Sequence, residues 1–375
     1  MEIRRNKNKI FCFSILILIA LIALILPGRL LAAPNYGNHT SMLELTTPNN
    51  NNVTIPFGLY TGINTTSDSP LMTHQQKEEF RKAITLGHYG RYEEAISYLD
   101  KVINVIPSYV PALYAKANAL DSLGNYEEAL IYYNKILTIE PSSKAEYFKG
   151  LELANLEKYQ GAISQYDKAE RMDPNNTDIF LDKGLSLSYL GKYEEAIKQY
   201  DKVLSIEPNH RDAFDYKGIA LASLGKNAEA ITYFDKALAT YPGDIPYLIT
   251  QGLDLPCSCI LDNKGNALYE MGMYNDSVTQ YDYALKLDPK DTTAMQNKGL
   301  ALYHLGKYND AMVQFDNVLT NDPTNTDTLY NKGLTLYQLG KYKEAIGYYD
   351  TVLTIDPNNK EVQASKTEAA NKLGS

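Results

Sequence analysis

The chain has 375 residues, and its 36 basic side chains against 45 acidic ones give a net charge of −9. This acidic surplus argues against binding to a nucleic-acid backbone, because such binding rests on clustered Lys and Arg. Cysteine is scarce: Cys257 and Cys259 stand two residues apart, too close for a relaxed disulfide and without further ligands for a zinc site. We therefore expect both to be free thiols.

Residues 1–33 have the layout of a signal peptide or a membrane anchor. A basic head that includes Arg4 and Lys9 precedes the uncharged run Ile10–Leu26, which is at the short end of the length that a membrane-spanning helix needs. Small residues before Pro34 offer a cleavage position, but a proline directly after it hinders cleavage, so both forms stay open. Either way, the positive-inside rule predicts that the rest of the chain is secreted or lies on the extracytoplasmic side of a membrane.

Residues 34–72 are rich in Asn, Thr, Pro and Gly and contain little that could form a core, so we predict a disordered linker. The chain also carries five N-glycosylation triplets, which matter only if it is exported. Their asparagines are Asn38, Asn52, Asn64, Asn175 and Asn275.

From residue 73 the chain repeats one pattern, seen most clearly in the segment 292–325. Apolar or small residues three and four apart, from Met295 to Leu305, predict a helix that ends at Gly306. A second apolar face, from Tyr308 to Leu319, predicts a second helix that Pro323 stops. A proline closes each unit at a nearly constant interval, which is longer only between the fifth and the sixth: Pro107, Pro141, Pro174, Pro208, Pro242, Pro289, Pro323 and Pro357.

This pattern resembles the tetratricopeptide repeat (TPR) family, whose period is about 34 residues. Eight copies in phase cover the range 76–359. The resemblance implies an all-α fold: an α-solenoid of eight helix-turn-helix repeats over residues 73–359, forming a right-handed superhelix. The first and second helices of each repeat are called helix A and helix B here. The resemblance also implies that the glycine in the middle of helix A, such as Gly299, meets the small residue of its own helix B, such as Ala311.

Two segments depart from the period. Residues 245–257 are an insertion between the fifth and sixth copies. We interpret it as a surface loop, with an apolar hinge or a partner contact as the open alternative. Residues 360–375 are polar and contain several alanines, and we predict a capping helix that covers the last repeat. In the third copy, Glu157 stands where the other turns have glycine.

Signatures of catalysis and of metal binding are absent from the sequence. It has no nucleophile elbow, no phosphate-cradling glycine loop and no zinc-binding histidine pair, and its five His are scattered. Paired acids such as Glu194 and Glu195 fall in the first turn of helix B, where negative charge favours a helix N-terminus, so we interpret them as solvated caps. We predict no enzyme, no catalytic residue, no metal and no cofactor.

The resemblance implies that helix A lines a concave, partner-binding face. Asn263, Asn297 and Asn331 recur at one position of the last three copies and would form a ladder of amides that can both donate to and accept from a peptide backbone. The alternative is that they are ordinary residues of the repeat consensus. A second row holds Tyr269, Tyr303 and Tyr337. Further candidates for partner binding are Asp182, Asp262, Asn266 and Tyr330.

A lysine precedes the middle residue of helix A in every copy, for example Lys298. It lies one step off the implied groove, so we expect it on the surface with its stem packed.

Two classes of function follow. The first is an exported or membrane-anchored scaffold that mediates protein–protein interaction through its helix-A face. The second is an extracytoplasmic solenoid that binds carbohydrate or the cell envelope through the Tyr and Asp/Asn rows. The expected partner is a protein or a peptide; nucleic acid is not expected, and the membrane is touched only through the N-terminal segment.

Overall fold

The computed structural model describes residues 72–241, 243, 247 and 258–374. These residues form seventeen α-helices and contain no strand, which confirms the all-helical prediction for the described part of the chain. Within those ranges, no helix combines the length and the hydropathy that crossing a bilayer requires. The segment 1–33, the linker up to residue 71 and nearly all of the insertion lie outside the described residues, so the predictions made for them stay predictions.

Helices A and B alternate through eight repeats, and one more helix follows. The helices A are α1 (His74–His88), α3 (Val110–Ser122), α5 (Ser143–Asn155), α7 (Thr177–Tyr189), α9 (Arg211–Ser223), α11 (Cys259–Glu270), α13 (Thr292–His304) and α15 (Thr326–Gln338). The helices B are α2 (Tyr92–Val105), α4 (Tyr126–Ile139), α6 (Tyr159–Met172), α8 (Tyr193–Ile206), α10 (Asn227–Leu238), α12 (Tyr274–Leu287), α14 (Tyr308–Asn321) and α16 (Tyr342–Ile355). The last helix is α17 (Lys360–Gly374).

The chain divides into two compact units, with the boundary between Tyr216 and Lys217. In the first unit, described from residue 72, each helix from α1 to α8 packs against the next one in the chain. In the second unit, described up to residue 374, the same holds from α10 to α17. Packing between sequence neighbours is the arrangement of a solenoid, which buries its core between successive helices instead of around one centre.

The turn from helix A to helix B contains one residue in the left-handed region. Seven turns use glycine there, with φ between 71° and 78°, and in the third repeat Glu157 adopts a φ of 60°. In the seventh repeat the N–H of Gly306 donates to the carbonyl of Tyr303 and that of Lys307 to the carbonyl of Leu302, each at 2.9 Å. These bonds satisfy carbonyls that the end of a helix leaves open.

The glycine in the middle of helix A packs against an aromatic ring, which corrects the expected contact with a small residue. A Cβ atom added to Gly299 would lie 2.5 Å from a ring carbon of Phe315 in the same repeat, and the three nearest atoms all belong to that ring. Ala311 is therefore not its nearest neighbour. Gly333 and Tyr349 repeat this geometry at 2.5 Å. Helix A approaches helix B so closely that the ring takes the space of a side chain.

Helix α17 covers the end of the array. It packs against α16 and also touches α15. Its Val362 and Ala369 are buried, whereas most of its remaining side chains are exposed. Lys366 forms an ion pair with Asp350 of α16 at 2.6 Å. The last helix thus presents a polar surface where another repeat would otherwise follow.

Cys259, the first residue of α11, is disulfide-bonded. The expectation of a free thiol is therefore wrong for this residue, and its partner cysteine lies outside the described residues.

Candidate functional site

The predicted Asn ladder lies on successive helices A, but at depth. Asn263, Asn297 and Asn331 belong to α11, α13 and α15, and their exposed fractions are 2%, 5% and 1%. The Nδ2 of Asn297 donates to the Oδ1 of Asn266 at 3.0 Å. The amides of the three residues therefore offer very little surface to a partner. The bond of Asn297 joins α13 to α11.

Asn266 is also committed to an internal bond. Its Oδ1 accepts the hydroxyl hydrogen of Tyr281 at 2.6 Å in addition to the bond from Asn297. In the first unit, Asn118 occupies the equivalent place, and its Oδ1 accepts from the hydroxyl of Tyr133 at 2.8 Å. In both repeats, the asparagine one residue after the mid-helix position accepts a hydrogen bond from the buried tyrosine in helix B of the same repeat.

Asp262 is buried beside other carboxylates. It is 6% exposed, and its burial, followed by the nearby charge of Asp291, raises its pKa to about 9. Asp291 itself caps α13 by accepting from the N–H groups of Thr293 and Ala294. Burial and the neighbouring carboxylates Asp291 and Asp288 thus disfavour the negatively charged form of Asp262.

Asp182 belongs to the first unit, apart from the other candidates. Burial raises its pKa to about 7, and the hydroxyl of Tyr147 donates to its Oδ2 at 2.7 Å. The hydrogen bond favours the ionised form and opposes the effect of burial. We find Asp182 in an internal network of helices α5 and α7.

Tyr330 is closed off by the last helix. It is buried, its hydroxyl donates to Glu361 at 3.2 Å, and it shares a hydrogen bond of 3.0 Å with the Ser365 hydroxyl. Both partners lie on α17, so Tyr330 joins α15 to the capping helix.

The Tyr row is the accessible part of the predicted site. Tyr269, Tyr303 and Tyr337 are half-buried at the ends of α11, α13 and α15. Each packs against the tyrosine that opens the following helix B. The centroid distances are 5.4 Å for Tyr269–Tyr274, 5.5 Å for Tyr303–Tyr308 and 5.2 Å for Tyr337–Tyr342. The pairs are edge-on or tilted, which is the arrangement that aromatic rings prefer.

His304 joins the rings of two repeats. It is exposed, stacks on Tyr274 with centroids 4.8 Å apart, and lies 5.5 Å from both Tyr269 and Tyr303. Two hydrogen bonds hold the next rings in place: Gln338 donates to the Tyr303 hydroxyl at 3.2 Å, and the Tyr337 hydroxyl donates to Glu368 at 2.7 Å. We call the resulting surface the aromatic band: Tyr269, Tyr274, Tyr303, His304, Tyr308, Tyr337 and Tyr342.

The sequence predicts three of the seven residues of this band, Tyr269, Tyr303 and Tyr337. The tyrosines that open helix B count as repeat consensus when each copy is taken alone. The signal that would have found them is the constant interval of five residues from Tyr269 to Tyr274, which recurs in the next two copies. That interval spans the turn and so brings the end of helix A beside the start of helix B.

The recurring lysine forms ion pairs between neighbouring repeats. In the second unit, the Nζ of Lys264 lies 2.7 Å from Asp235, and that of Lys298 lies 2.6 Å from Asp282. Lys332 pairs in the same way with Asp316 and also lies 4.6 Å from the ring centroid of Tyr348. Each lysine thus pairs with an aspartate in helix B of the preceding repeat, a contact between repeats that the expectation of a packed stem did not include.

No group of side chains among the described residues could hold a metal ion.

Comparison with known protein families identifies repeats of one kind along the chain. Models described as "Tetratricopeptide repeat" match residues 110–143, 144–176, 181–245 and 326–359, and one described as "TPR repeat" matches residues 265–306 and 299–340. Together these segments span more than half of the chain. No curated protein matches it.

Several solved structures share the fold. The type IV pilus biogenesis factor PilW is 22% identical, with a TM-score of 0.52 over 59% of this chain and 97% of its own. A tetratricopeptide repeat protein from Parabacteroides merdae is 17% identical, with a TM-score of 0.51 over 70% of this chain and 98% of its own. The Cut9–Hcn1 hetero-tetramer of APC/C is also 17% identical, with a TM-score of 0.53 over 84% of this chain and 58% of that one. At these identities the likeness concerns the fold alone.

Proposed function

Because the chain belongs to the tetratricopeptide repeat family, we propose that it is a scaffold that holds a protein or peptide partner on the helix-A face of its last three repeats. By resemblance to the family, this face is the concave side of a right-handed superhelix. The observation that carries the proposal is the repetition of one accessible aromatic pair in three successive repeats, as in Tyr303 with Tyr308.

The accessible rings make the contact in this proposal, and the buried amides support them. Half-buried tyrosines supply apolar area together with a polar tip, which is why they are frequent at protein interfaces. Asn297 and Asn331 are too deeply buried to contact a partner directly. Asn297 instead joins α13 to α11, the helices that carry Tyr303 and Tyr269, through its hydrogen bond to Asn266.

Affinity capture tests the proposal. The full chain carrying Tyr269→Ala, Tyr303→Ala and Tyr337→Ala should capture its protein partners at a yield several-fold lower than the unaltered chain does. The matched control replaces three half-buried tyrosines of other helix-B positions by Ala: Tyr233, Tyr283 and Tyr348. Both variants must show helical circular dichroism. Equal capture by both variants would place the site elsewhere, and binding to glycans without any captured protein would favour the carbohydrate-binding alternative.

We further propose that the chain works outside the cytoplasm, either secreted or held by its N-terminal segment. The basic head and apolar run of residues 1–33 motivate this location. The disulfide at Cys259 is in keeping with it, since disulfides persist mainly in oxidising compartments. Protease added to intact cells should digest the repeats. Digestion only after lysis would contradict an exterior location.

A further inference from the structure

Tyrosines of the second unit fall into two sets that differ in what covers their rings. Tyr233 and Tyr348, in helices B, each have a lysine ammonium of the chain itself over the ring, Lys217 at 4.3 Å and Lys332 at 4.6 Å from the centroid. Tyr283 has one as well, at 5.3 Å. These rings show that the fold uses cation–π contacts, which bring a positive charge against the negative face of a ring.

Three tyrosines of the aromatic band have no such cover within the described residues. Tyr308 packs on Tyr303, and Tyr342 packs on Tyr337. Tyr274 packs on Tyr269 and on the neighbouring histidine. No lysine or arginine of the described ranges lies over Tyr274, Tyr308 or Tyr342. Tyr308 and Tyr342 therefore keep half-buried rings without a lysine or arginine of the described chain over them, whereas His304 stacks on one face of Tyr274.

The helix-A row of the band is not a requirement of the repeat. At the place of Tyr303 in helix A, the second to fifth copies have Asp121, Ala154, Ser188 and Ala222. Those copies form the same helix pairs without a ring at this position. The helix-A rings of the last three copies thus need an explanation other than folding.

Charge indicates the nature of the occupant. Residues 217–375 contain 14 lysines and no arginine against 19 acidic side chains, a balance of −5. The lysines of α11, α13 and α15 already pair with aspartates of the preceding repeats. At one end of the band, Glu368 is exposed and accepts from the hydroxyl of Tyr337. The rings, the carboxylate of Glu368 and the acidic balance of the second unit favour a positively charged group.

We propose that the aromatic band is a contact site for arginine side chains of a basic, extended segment in the partner protein. This inference rests on the proposed function and names the chemistry of the partner. Arginine suits the band better than lysine because a flat guanidinium can stack on a ring while its edge donates to a carboxylate such as Glu368. The guanidinium is also more weakly hydrated than an ammonium, so bringing it against the rings costs less.

A labelled peptide tests the inference directly. The probe is a short Gly/Ser peptide with four arginines, added to the full chain in mild detergent, and fluorescence anisotropy measures its binding. The matched peptide has citrulline, which is neutral and of nearly the same shape, in place of each arginine. The arginine peptide should bind at least tenfold more tightly than the citrulline peptide. The difference should shrink as salt is raised, because exposed charges are screened.

Variants then locate the binding. Tyr274→Leu, Tyr308→Leu and Tyr342→Leu should each weaken binding of the arginine peptide about fivefold, the loss expected for one exposed cation–π contact. The corresponding Phe variants keep the ring and should bind as the unaltered chain does. The control Tyr283→Leu removes a ring that already has its own lysine and should leave the affinity unchanged.

Three outcomes would overturn the inference: equal binding of the arginine and citrulline peptides, unchanged affinity in all three Leu variants, or competition by neutral glycans that is stronger than competition by the basic peptide. The capture experiment separates this failure from failure of the proposed function. If the Tyr-row variant loses its protein partners while the arginine peptide does not bind, the scaffold function stands and the basic partner does not.

Discussion

At the scale of single residues, an aromatic ring of helix B restricts which residue type fits in the middle of helix A. Six helices A have glycine there, and an added Cβ would come within 2.4–2.6 Å of a ring carbon of the same repeat. Carbon atoms in favourable contact are about 3.5–4.0 Å apart. The rings concerned, such as Phe315 and Tyr349, are fully buried and cannot swing aside at low cost.

The eighth repeat provides a matched pair of glycines for a test. Gly333 in α15 faces Tyr349 at 2.5 Å, whereas an added Cβ at Gly347 in α16 meets nothing within 4 Å. Gly333→Ala should lower the free energy of unfolding by about 1–2 kcal/mol, because overpacking outweighs the better helix propensity of Ala. Gly347→Ala should raise it by about 0.5–1 kcal/mol. Urea unfolding measures the free energy of unfolding of both variants. A Gly333→Ala variant as stable as the unaltered chain would show that the ring of Tyr349 can move aside.

The buried tyrosines show a second feature at this scale. Where the residue after the mid-helix position is Asn118 or Asn266, the facing ring belongs to a tyrosine whose hydroxyl reaches that amide. In the seventh repeat this residue is Leu300, and the facing ring is Phe315, which has no hydroxyl to satisfy. In these three repeats the two positions are matched in polarity, as expected because a buried unsatisfied polar group is expensive.

A double substitution tests this matching. Tyr133→Phe should cost about 1–3 kcal/mol, because the buried Oδ1 of Asn118 loses its bond to the hydroxyl. Adding Asn118→Leu should recover most of that loss by reproducing the Leu300 and Phe315 pair. Asn118→Leu alone should be destabilising. If the double variant is no more stable than Tyr133→Phe, the two positions act independently, and thermal or urea unfolding of the four chains decides between these results.

At the scale of helices, α17 is held through few apolar side chains. Val362 and Ala369 are its buried residues, and Tyr330 adds hydrogen bonds to Glu361 and Ser365. Because a solenoid is stabilised by contacts between neighbours, damage to α17 should spread first to α16 and α15.

A substitution on α17 should therefore open the end of the array. Val362→Asp places a charge where the side chain is buried, and we expect a loss of more than about 2 kcal/mol. Gln363→Asp, one residue further on an exposed position, should change stability by less than about 0.5 kcal/mol. Hydrogen exchange should show faster exchange in α16 and α17 of the Val362 variant than in α12. Uniform acceleration through α12 to α17 would instead indicate one cooperative unit.

The sequence allows these elements to be placed because the positions of glycine and proline mark each turn. Gly306 and Pro323 fix the ends of α13 and α14 with little ambiguity. Depth is harder to predict. The constant spacing of Asn263, Asn297 and Asn331 shows that they occupy the same position in their repeats. The burial of Asn297, however, depends on a helix of the neighbouring repeat, which the sequence of one repeat does not contain. The pairing of Lys298 with Asp282 escaped prediction for the same reason.

At the scale of the whole molecule, several carboxyl groups are buried without a cation. Burial raises the pKa of Asp182 to about 7 and that of Asp262 to about 9. Burial also raises the pKa of Glu152, whose neighbour Asp121 adds a further negative charge. Unfolded carboxyl groups titrate near pH 4, so in each case the folded chain holds the proton to a higher pH than the unfolded chain does.

Stability should consequently fall as the pH rises. Since the native state binds more protons than the unfolded state, the free energy of unfolding decreases with pH between the two pKa values, by roughly 1.4 kcal/mol per unit of pKa difference for one group. For Asp182 this window runs from about pH 4 to about pH 7. We expect a higher melting temperature at pH 5 than at pH 8. Asp182→Asn should reduce that difference, and an unchanged difference would rule out Asp182 as a contributor.

The lysine–aspartate pairs have a consequence for how such a chain can grow. Lys298 pairs with Asp282 and Lys332 with Asp316, so each bond joins a repeat to the one before it by the same rule. A gene duplication of residues 292–325 would supply a new lysine and a new aspartate together, and each would find its counterpart in the adjacent copy. The array can thus be lengthened by whole repeats without leaving a lysine or an aspartate unpaired. A chain carrying that duplication should fold and melt no lower than the original.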